Sequence, residues 1–508
     1  MATASLDRRR FLWLASSVTA LGAGLTAAGA TPARADEAPD YTARETFDDA
    51  LAAFIDSGAT GQHWQDNEEG ALAWGQSYVL LGIMRMYETY RDTTYLDTFV
   101  THADAVLGNR DEERGVTDHQ GRSGPVWRAG GNYVASHITL TGDDGAPLVQ
   151  IRNADSRSAE STVEVLPGAQ PGTFTLAMTH VTIGTTTLED VSTDPSHPRF
   201  VETVATEEGY YLWGRWTAKV LADGVPRPGT YEAEQQYYAF AVHTGMVTYP
   251  MAIFARTVLE DPALSRSRYR GPAQRYLTAA RRAVAFHDGE LRSDERGTSY
   301  VWPQGAPVPF DGTEQPLNQS HGLGLTMAEL YRITGDAGYR SAVEGLAETW
   351  RADLVDQGGW PAWPYWPTWG HLYQGYAVED GVSEYTPWYN PSVAWEDVSH
   401  AAISVEFAAA AHGAGLAFDD ADLEAFARSY LEGFVIDEAS VRHRFLGPDP
   451  AADSTAVQTA RWLALDRVDG RVGEHALGLY EAVALVPGSG SHLAGIAYLN
   501  YAAADPWS

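Results

Sequence analysis

Long stretches of this chain carry apolar residues at helical spacing, separated by turn clusters. From Trp74 to Leu107 the apolar positions include Leu80, Ile83, Met84 and Tyr87, and a break near Arg91-Asp92-Thr93-Thr94 predicts two helices. The scheme returns from His243 to about His287, broken at Asp261-Pro262. It returns from Asn318 to Leu354, broken at Thr334-Gly335-Asp336-Ala337-Gly338, and from Glu396 to Phe434, broken between Gly413 and Asp420. Ser454 to Ala503 predicts a fifth pair with Pro487-Gly488-Ser489-Gly490 as its turn, and a further helix is expected from about Thr42 to Ser57.

Recurrent helical hairpins predict a mainly α repeat architecture. Short connections make successive helices antiparallel neighbours, and roughly five or six such hairpins in a circle form an (α/α)n toroid. First helices then line the inside and second helices face outward. An open solenoid is the rival, but long loops suit a globular mouth better.

One block breaks the helical pattern. Between Gly130 and Arg227 the chain is rich in Thr, Val, Gly and Asp. Tyr133–Leu140, Leu148–Arg152, Ser161–Leu166 and Thr173–Thr182 alternate as strands do, Gly142-Asp143-Asp144-Gly145 suits a hairpin turn, and Tyr210–Leu221 suggests another strand. This predicts a small antiparallel β insertion at 130–227, a wall of the cleft or a sugar-binding module, with 36–129 and 228–508 forming the toroid.

Composition narrows the class. Formal charge is −32, with 67 acidic against 35 basic residues, so most of the surface should repel nucleic acid and anionic lipid. No cysteine is present, which removes disulfides, thiolate chemistry and cysteine-type zinc sites. Arg8-Arg9-Arg10-Phe11-Leu12, an apolar run and Ala33-Arg34-Ala35 resemble a twin-arginine export signal over residues 1–35. The expectation is a secreted protein with no membrane anchor after cleavage.

Three segments share one layout: His243-Thr244-Gly245-Met246, Asn318-Gln319-Ser320-His321-Gly322 and Glu396-Asp397-Val398-Ser399-His400-Ala401. Each heads a helical stretch, and the histidines lie 78 and 79 residues apart. In a ring of hairpins this spacing brings His243, Asn318, His321, Glu396, Asp397 and His400 to one mouth, where helix N-termini favour negative charge. Asn318 and Asp397 also suit helix caps, and a lone histidine more often packs than reacts.

The loop from Gly358 to Pro391 holds Trp360, Trp363, Tyr365, Trp366, Trp369, Tyr373, Tyr376, Tyr385, Trp388 and Tyr389. Trp366, Trp369, Tyr373, Tyr376 and Trp388 are candidate platforms for sugar rings, together with Trp127. Glu379 and Asp380 sit among these aromatics, with Glu384 close behind. Desolvation there would raise a carboxyl pKa, as a general acid requires. A glycosidase needs two carboxyl groups at the scissile bond, so Glu396 or Asp397 would pair with Glu379 or Asp380.

A lyase acting on a uronic-acid glycan needs instead a group that neutralises the substrate carboxylate, a base and a proton donor. Asn318, His321, His400 and a loop tyrosine fit those roles, with Arg128 pairing the substrate acid. Arg128 equally suits a structural ion pair. No cofactor is called for; a divalent metal on His243, His321, His400 and Asp397 stays open, although neither HExxH nor an EF-hand loop is present.

Leu330-Tyr331-Arg332-Ile333-Thr334-Gly335-Asp336, followed by Tyr339, resembles the hairpin turn common in α/α-toroid carbohydrate-active enzymes. That group holds glycoside hydrolases, polysaccharide lyases and sugar epimerases. The resemblance implies carbohydrate chemistry at the level of architecture and assigns no catalytic residue. The expected partner is a polysaccharide or oligosaccharide. Hydrolysis is slightly preferred because acids outnumber bases, elimination is the runner-up, and non-catalytic glycan binding is the third reading.

Overall fold

The computed structural model describes residues 39–155, 157–482 and 489–504. The export signal expected at 1–35 lies outside the described residues, as do Pro487 and Gly488 of the expected last turn. The fold is mainly α, with several small antiparallel sheets.

Helices α1 (Arg44–Ser57), α2 (Ser77–Tyr90) and α3 (Thr93–Gly108) are followed by the short α4 (Asp111–Arg114) and α5 (Val201–Val204). Then come α6 (Ala241–Glu260), α7 (Arg270–Phe286), α8 (Leu317–Thr334), α9 (Ala337–Ala352) and the short α10 (His371–Gln374). The last group is α11 (Val398–Gly413), α12 (Asp420–Arg428), α13 (Asp453–Ala456), a 3-10 segment Val457–Leu465, α14 (Arg471–Ala482) and α15 (Gly490–Ala503).

Two kinds of helix alternate. Helices α6, α8, α11 and α15 are buried on nearly every side, whereas α7, α9, α12 and α14 bury one face. A helix apolar all round belongs inside and a one-faced helix belongs outside it. The buried helices follow one another in space: α2 packs on α6, α6 on α8, α8 on α11, α11 on the 3-10 segment, that segment on α15, and α15 on α2. Each has an outer companion: α3, α7, α9, α12, α14 and, for α15, α1.

The expected fifth pair is corrected. The chain from 454 folds as three pieces, because a turn after Leu465 separates the 3-10 segment from α14 before α15 begins. Thus α14 accompanies the 3-10 segment, while α15 meets α1 and α2.

Close approach explains the small residues of the buried helices. A Cβ on Gly245 of α6 would sit 2.2 Å from the Gly322 carbonyl oxygen of α8. Thr326 Oγ1 donates to the Gly245 carbonyl at 3.1 Å and lies 2.9 Å from Thr248 Oγ1, tying the two backbones together.

Strands β1 (Ser136–Thr141), β2 (Pro147–Asn153) and β6 (Trp216–Val220) form one antiparallel sheet in the order β1-β2-β6. β3 (Thr162–Pro167), β4 (Phe174–His180), β5 (Gly184–Val191) and β7 (Gly229–Glu232) form another, ordered β5-β4-β3-β7. Inward residues of both sheets, among them Ile138, Ile151, Val163 and Leu176, share one hydrophobic cluster. β5 and β7 were not anticipated, and Ala205–Gly214 is a π-helical turn rather than the first half of a strand.

Candidate active site

Glu396 and Asp397 enter α11 from a strip held on both sides. The Glu396 N–H donates to the Trp363 carbonyl at 3.1 Å, and its carbonyl accepts from Phe445 N–H at 3.1 Å. Tyr365 N–H donates to the Ala394 carbonyl at 2.9 Å, and Val398 N–H donates to the His443 carbonyl at 3.0 Å. Segments 363–365, 394–398 and 443–445 therefore run side by side, and Asp397 bridges Arg444.

Asp397 caps α11. Its Oδ1 accepts from Ser399 N–H at 3.0 Å, Ser399 Oγ at 2.7 Å and His400 N–H at 3.1 Å, and its Oδ2 lies 2.6 Å from His400 Nδ1. Burial opposes its charge, but His400 and these hydrogen bonds outweigh burial and hold the carboxyl well below its ordinary value. An ionised carboxylate only accepts, so Nδ1 carries the proton and Nε2 is the nitrogen that takes or gives one. Burial also opposes charge on His400, but Asp397 raises its pKa above the ordinary 6.5.

Glu396 behaves oppositely. Its Oε1 accepts from Asp397 N–H at 3.0 Å and its Oε2 from Asn318 Nδ2 at 2.9 Å. Complete burial, then repulsion from Asp397, push its carboxyl up to about 8. At neutral pH Glu396 is protonated while its neighbour is ionised.

Tyr365 closes the cluster. Its ring meets His400 edge-on at 5.7 Å, and burial with the nearby Glu396 and Asp397 keeps its hydroxyl firmly protonated. Asn318 also faces that hydroxyl, while its own Oδ1 is buried without a hydrogen-bond partner. His400 is the accessible member: its side chain is 21% exposed, against 1% for Asp397 and none for Glu396 and Asn318.

Ligand atoms of Glu396, Asp397 and His400 lie within 4.8 Å of one another, close enough for a cation. Both Asp397 oxygens and His400 Nδ1 already hold hydrogen bonds, however, and Glu396 is neutral at pH 7. The set suits proton transfer better than coordination.

Other expected residues lie elsewhere. His321 is buried, turned to Ser404 Oγ at 2.9 Å and stacked on Phe407 at 4.7 Å. His243 is buried between Asn67 and Trp74, with Tyr133 and Phe240 rings against it. Burial drives both imidazoles down to about 3, so they are neutral packing groups. The expected gathering of three histidines is therefore corrected: each heads its helix, but two face neighbouring helices.

Arg128 ion-pairs with Glu68 at 2.6 Å, donates to the Thr117 carbonyl at 2.7 Å and lies 3.5 Å over the Tyr237 ring, which leaves it structural. Trp127 is core, its Nε1 donating to the Val106 carbonyl at 2.9 Å. Glu379 and Asp380 are exposed, and Asp380 accepts from Ala377 N–H at 2.8 Å, so the expected desolvation is absent. The aromatics cover one another instead. Trp366 is buried against Phe310 and Tyr365, and Tyr376 is buried with its hydroxyl on the Thr386 carbonyl at 2.8 Å. Trp369, Tyr373 and Trp388 keep part of their surface in solvent.

Sequence reasoning missed His443 and Arg444, which pair with the strip only in three dimensions. It named Tyr365 only as one loop tyrosine among several.

No helix among the described residues is long and apolar enough to cross a membrane. No family model matches the chain. No curated protein matches it. Among solved structures, a family 76 glycoside hydrolase from a bovine Bacteroides thetaiotaomicron strain is similar at 10% identity, over 73% of this chain and 100% of that one, with a TM-score of 0.29. An overlap this loose assigns neither residues nor activity to the chain.

Proposed function

We propose that this chain is a secreted glycan-cleaving enzyme, and that it breaks an acidic glycan by β-elimination. The cyclic succession of buried helices and their outer companions supports reading residues 36–129 and 228–508 as an α/α toroid. Residues 130–227 are then an insertion walling one side. The cluster at the head of α11 is its catalytic centre.

One observation carries the choice of chemistry: the accessible group is an imidazole backed by a carboxylate, not a carboxyl. Asp397 fixes the tautomer, as in other carboxylate–histidine pairs, so His400 Nε2 is the base. It removes the proton beside the uronate carboxylate. The C–H electron pair forms the new C=C bond, the bond from the adjacent carbon to the glycosidic oxygen breaks, and Tyr365 protonates that oxygen. Asn318 and neutral Glu396 lie buried behind His400 and Tyr365, where they position the reacting groups without touching the substrate. Among the loop aromatics, the part-exposed Tyr373 and Trp388 meet neighbouring sugars, whereas Arg296 lies 5.0 Å over the Trp369 ring.

The pH dependence follows. The base must be neutral and the raised His400 pKa delays that, so kcat/KM should rise through a limb above 6.5. It should fall as Glu396 ionises at about 8. A profile flat across this range would remove both assignments. Activity should also survive exhaustive dialysis against a chelator, because no step uses a metal.

Hydrolysis is the second reading, supported by the divergent protonation of Glu396 and Asp397, the pattern of an acid beside a charge stabiliser. Incubating the protein with uronate-containing and neutral polysaccharides separates the readings. Elimination predicts new ultraviolet absorbance rising in step with reducing ends on uronates alone. Reducing ends without absorbance would favour hydrolysis, and binding without either would leave a glycan-binding protein.

A further inference from the structure

The opposite end of the buried helices holds a cavity of about 410 Å³. Its lining comes from the C-terminal parts of α2, α6, α8, α11 and α15, and from Arg467 beyond the 3-10 segment. Asp397 and His412 bracket α11, which places this cavity about 20 Å from the cluster described above.

In a chain of formal charge −32, four arginines, Arg85, Arg256, Arg332 and Arg467, line this cavity together with two acids, Glu88 and Glu329; Arg85 ion-pairs with Glu88, and Glu260 and Asp420 stand behind Arg256 and Arg467. Helix C-termini attract positive charge, which accounts for part of this excess. It does not account for the unused donors. Arg85 Nε is buried without a hydrogen-bond partner. Arg332 approaches Glu329 no closer than 3.6 Å, beyond hydrogen-bond reach. Arg256 spends Nε on Glu329 at 2.5 Å but reaches Glu88 and Glu260 only at 3.8 and 3.5 Å. Arg467 is committed to Asp420 at 3.0 Å and to His412 at 3.1 Å. A buried guanidinium donor left empty is costly, and an oxyanion fills several at once.

We propose that this cavity is an anion-binding site, separate from the catalytic centre, for a small oxyanion: sulfate, phosphate or the carboxylate of an acidic sugar.

The test uses the whole protein. Sodium sulfate, sodium phosphate and sodium glucuronate are titrated separately at ionic strength held constant with sodium chloride, and binding is followed by calorimetry and melting temperature. The expected result is saturable binding of at least one, weakened about tenfold or more in Arg332→Gln, since a charge-assisted hydrogen bond is lost. His400→Ala should bind as the parent does. Saturation by glucuronate alone identifies a sugar acid, and saturation by all three identifies a general oxyanion site. Absence of saturable binding, or affinity unchanged in both Arg332→Gln and Arg85→Gln, overturns the proposal.

Discussion

At the residue scale, neighbouring carboxyls take opposite protonation states because their partners differ. Asp397 collects four hydrogen bonds, one of them from an imidazole, whereas the fully buried Glu396 has two neutral donors. This has a stability signature. The Glu396 pKa is raised from 4.5 to about 8, so the fold binds a proton the unfolded chain releases, and stability falls as pH rises between those values. Glu396→Gln removes this penalty, and should raise stability at pH 7 by up to about 3 kcal/mol with no gain near pH 4. Thermal melts at the two pH values check this; equal shifts would mean Glu396 is ionised in the fold. Asp397→Asn should do the reverse above pH 4, because it removes the charge that pairs with His400; asparagine caps a helix as well as aspartate, so the α11 cap is kept.

At the element scale, the helix pairs were legible because their signals are local: apolar spacing within each helix and Gly, Pro or Asp at each break. The site was legible only in part. Asn318, Glu396, Asp397 and His400 stand at the heads of α8 and α11, where sequence order places them. His243 and His321 share that register but not that role. The shared pattern reflects helix approach, with Gly245 against the Gly322 carbonyl, while His243 turns to Asn67 and Trp74 and His321 to Ser404 and Phe407 of α11. Gly245→Ala tests this directly. Its methyl has no space against the Gly322 carbonyl, and denaturant unfolding should show a loss of about 1–3 kcal/mol. A neutral result would mean the α6–α8 contact is looser than described. The loop acids were misjudged for a related reason: nearby aromatics predict burial of something, and here they bury one another. Tyr365, His443 and Arg444 depend on pairing between distant segments, which periodicity does not reveal.

At the scale of the molecule, one buried network joins α2, α11, the 3-10 segment and α15. Glu406 of α11 accepts from Arg461 of the 3-10 segment at 2.8 Å and from Tyr498 of α15, and the guanidinium lies 5.3 Å from the Tyr78 ring of α2. All four are within the core. Removing one partner strands a buried charge, so Arg461→Met should cost about 3–5 kcal/mol. The double replacement Glu406→Leu with Arg461→Met should cost less than that single change, as a thermodynamic cycle on urea unfolding would show. Such an outcome would mark the pair as a device fixing which helices meet rather than a net source of stability.

The most direct test of the account is digestion of a uronate-containing glycan in water enriched in oxygen-18, with products read by mass spectrometry. Elimination adds no water, so each new non-reducing end should be unsaturated and no fragment should gain the heavy isotope through bond cleavage, once reducing-end exchange is blocked by rapid reduction. His400→Ala should abolish the products while the chain stays folded, at a lower melting temperature because the buried Asp397 charge loses its partner. Heavy oxygen incorporated at every cleaved bond, or full cleavage by His400→Ala, would contradict it.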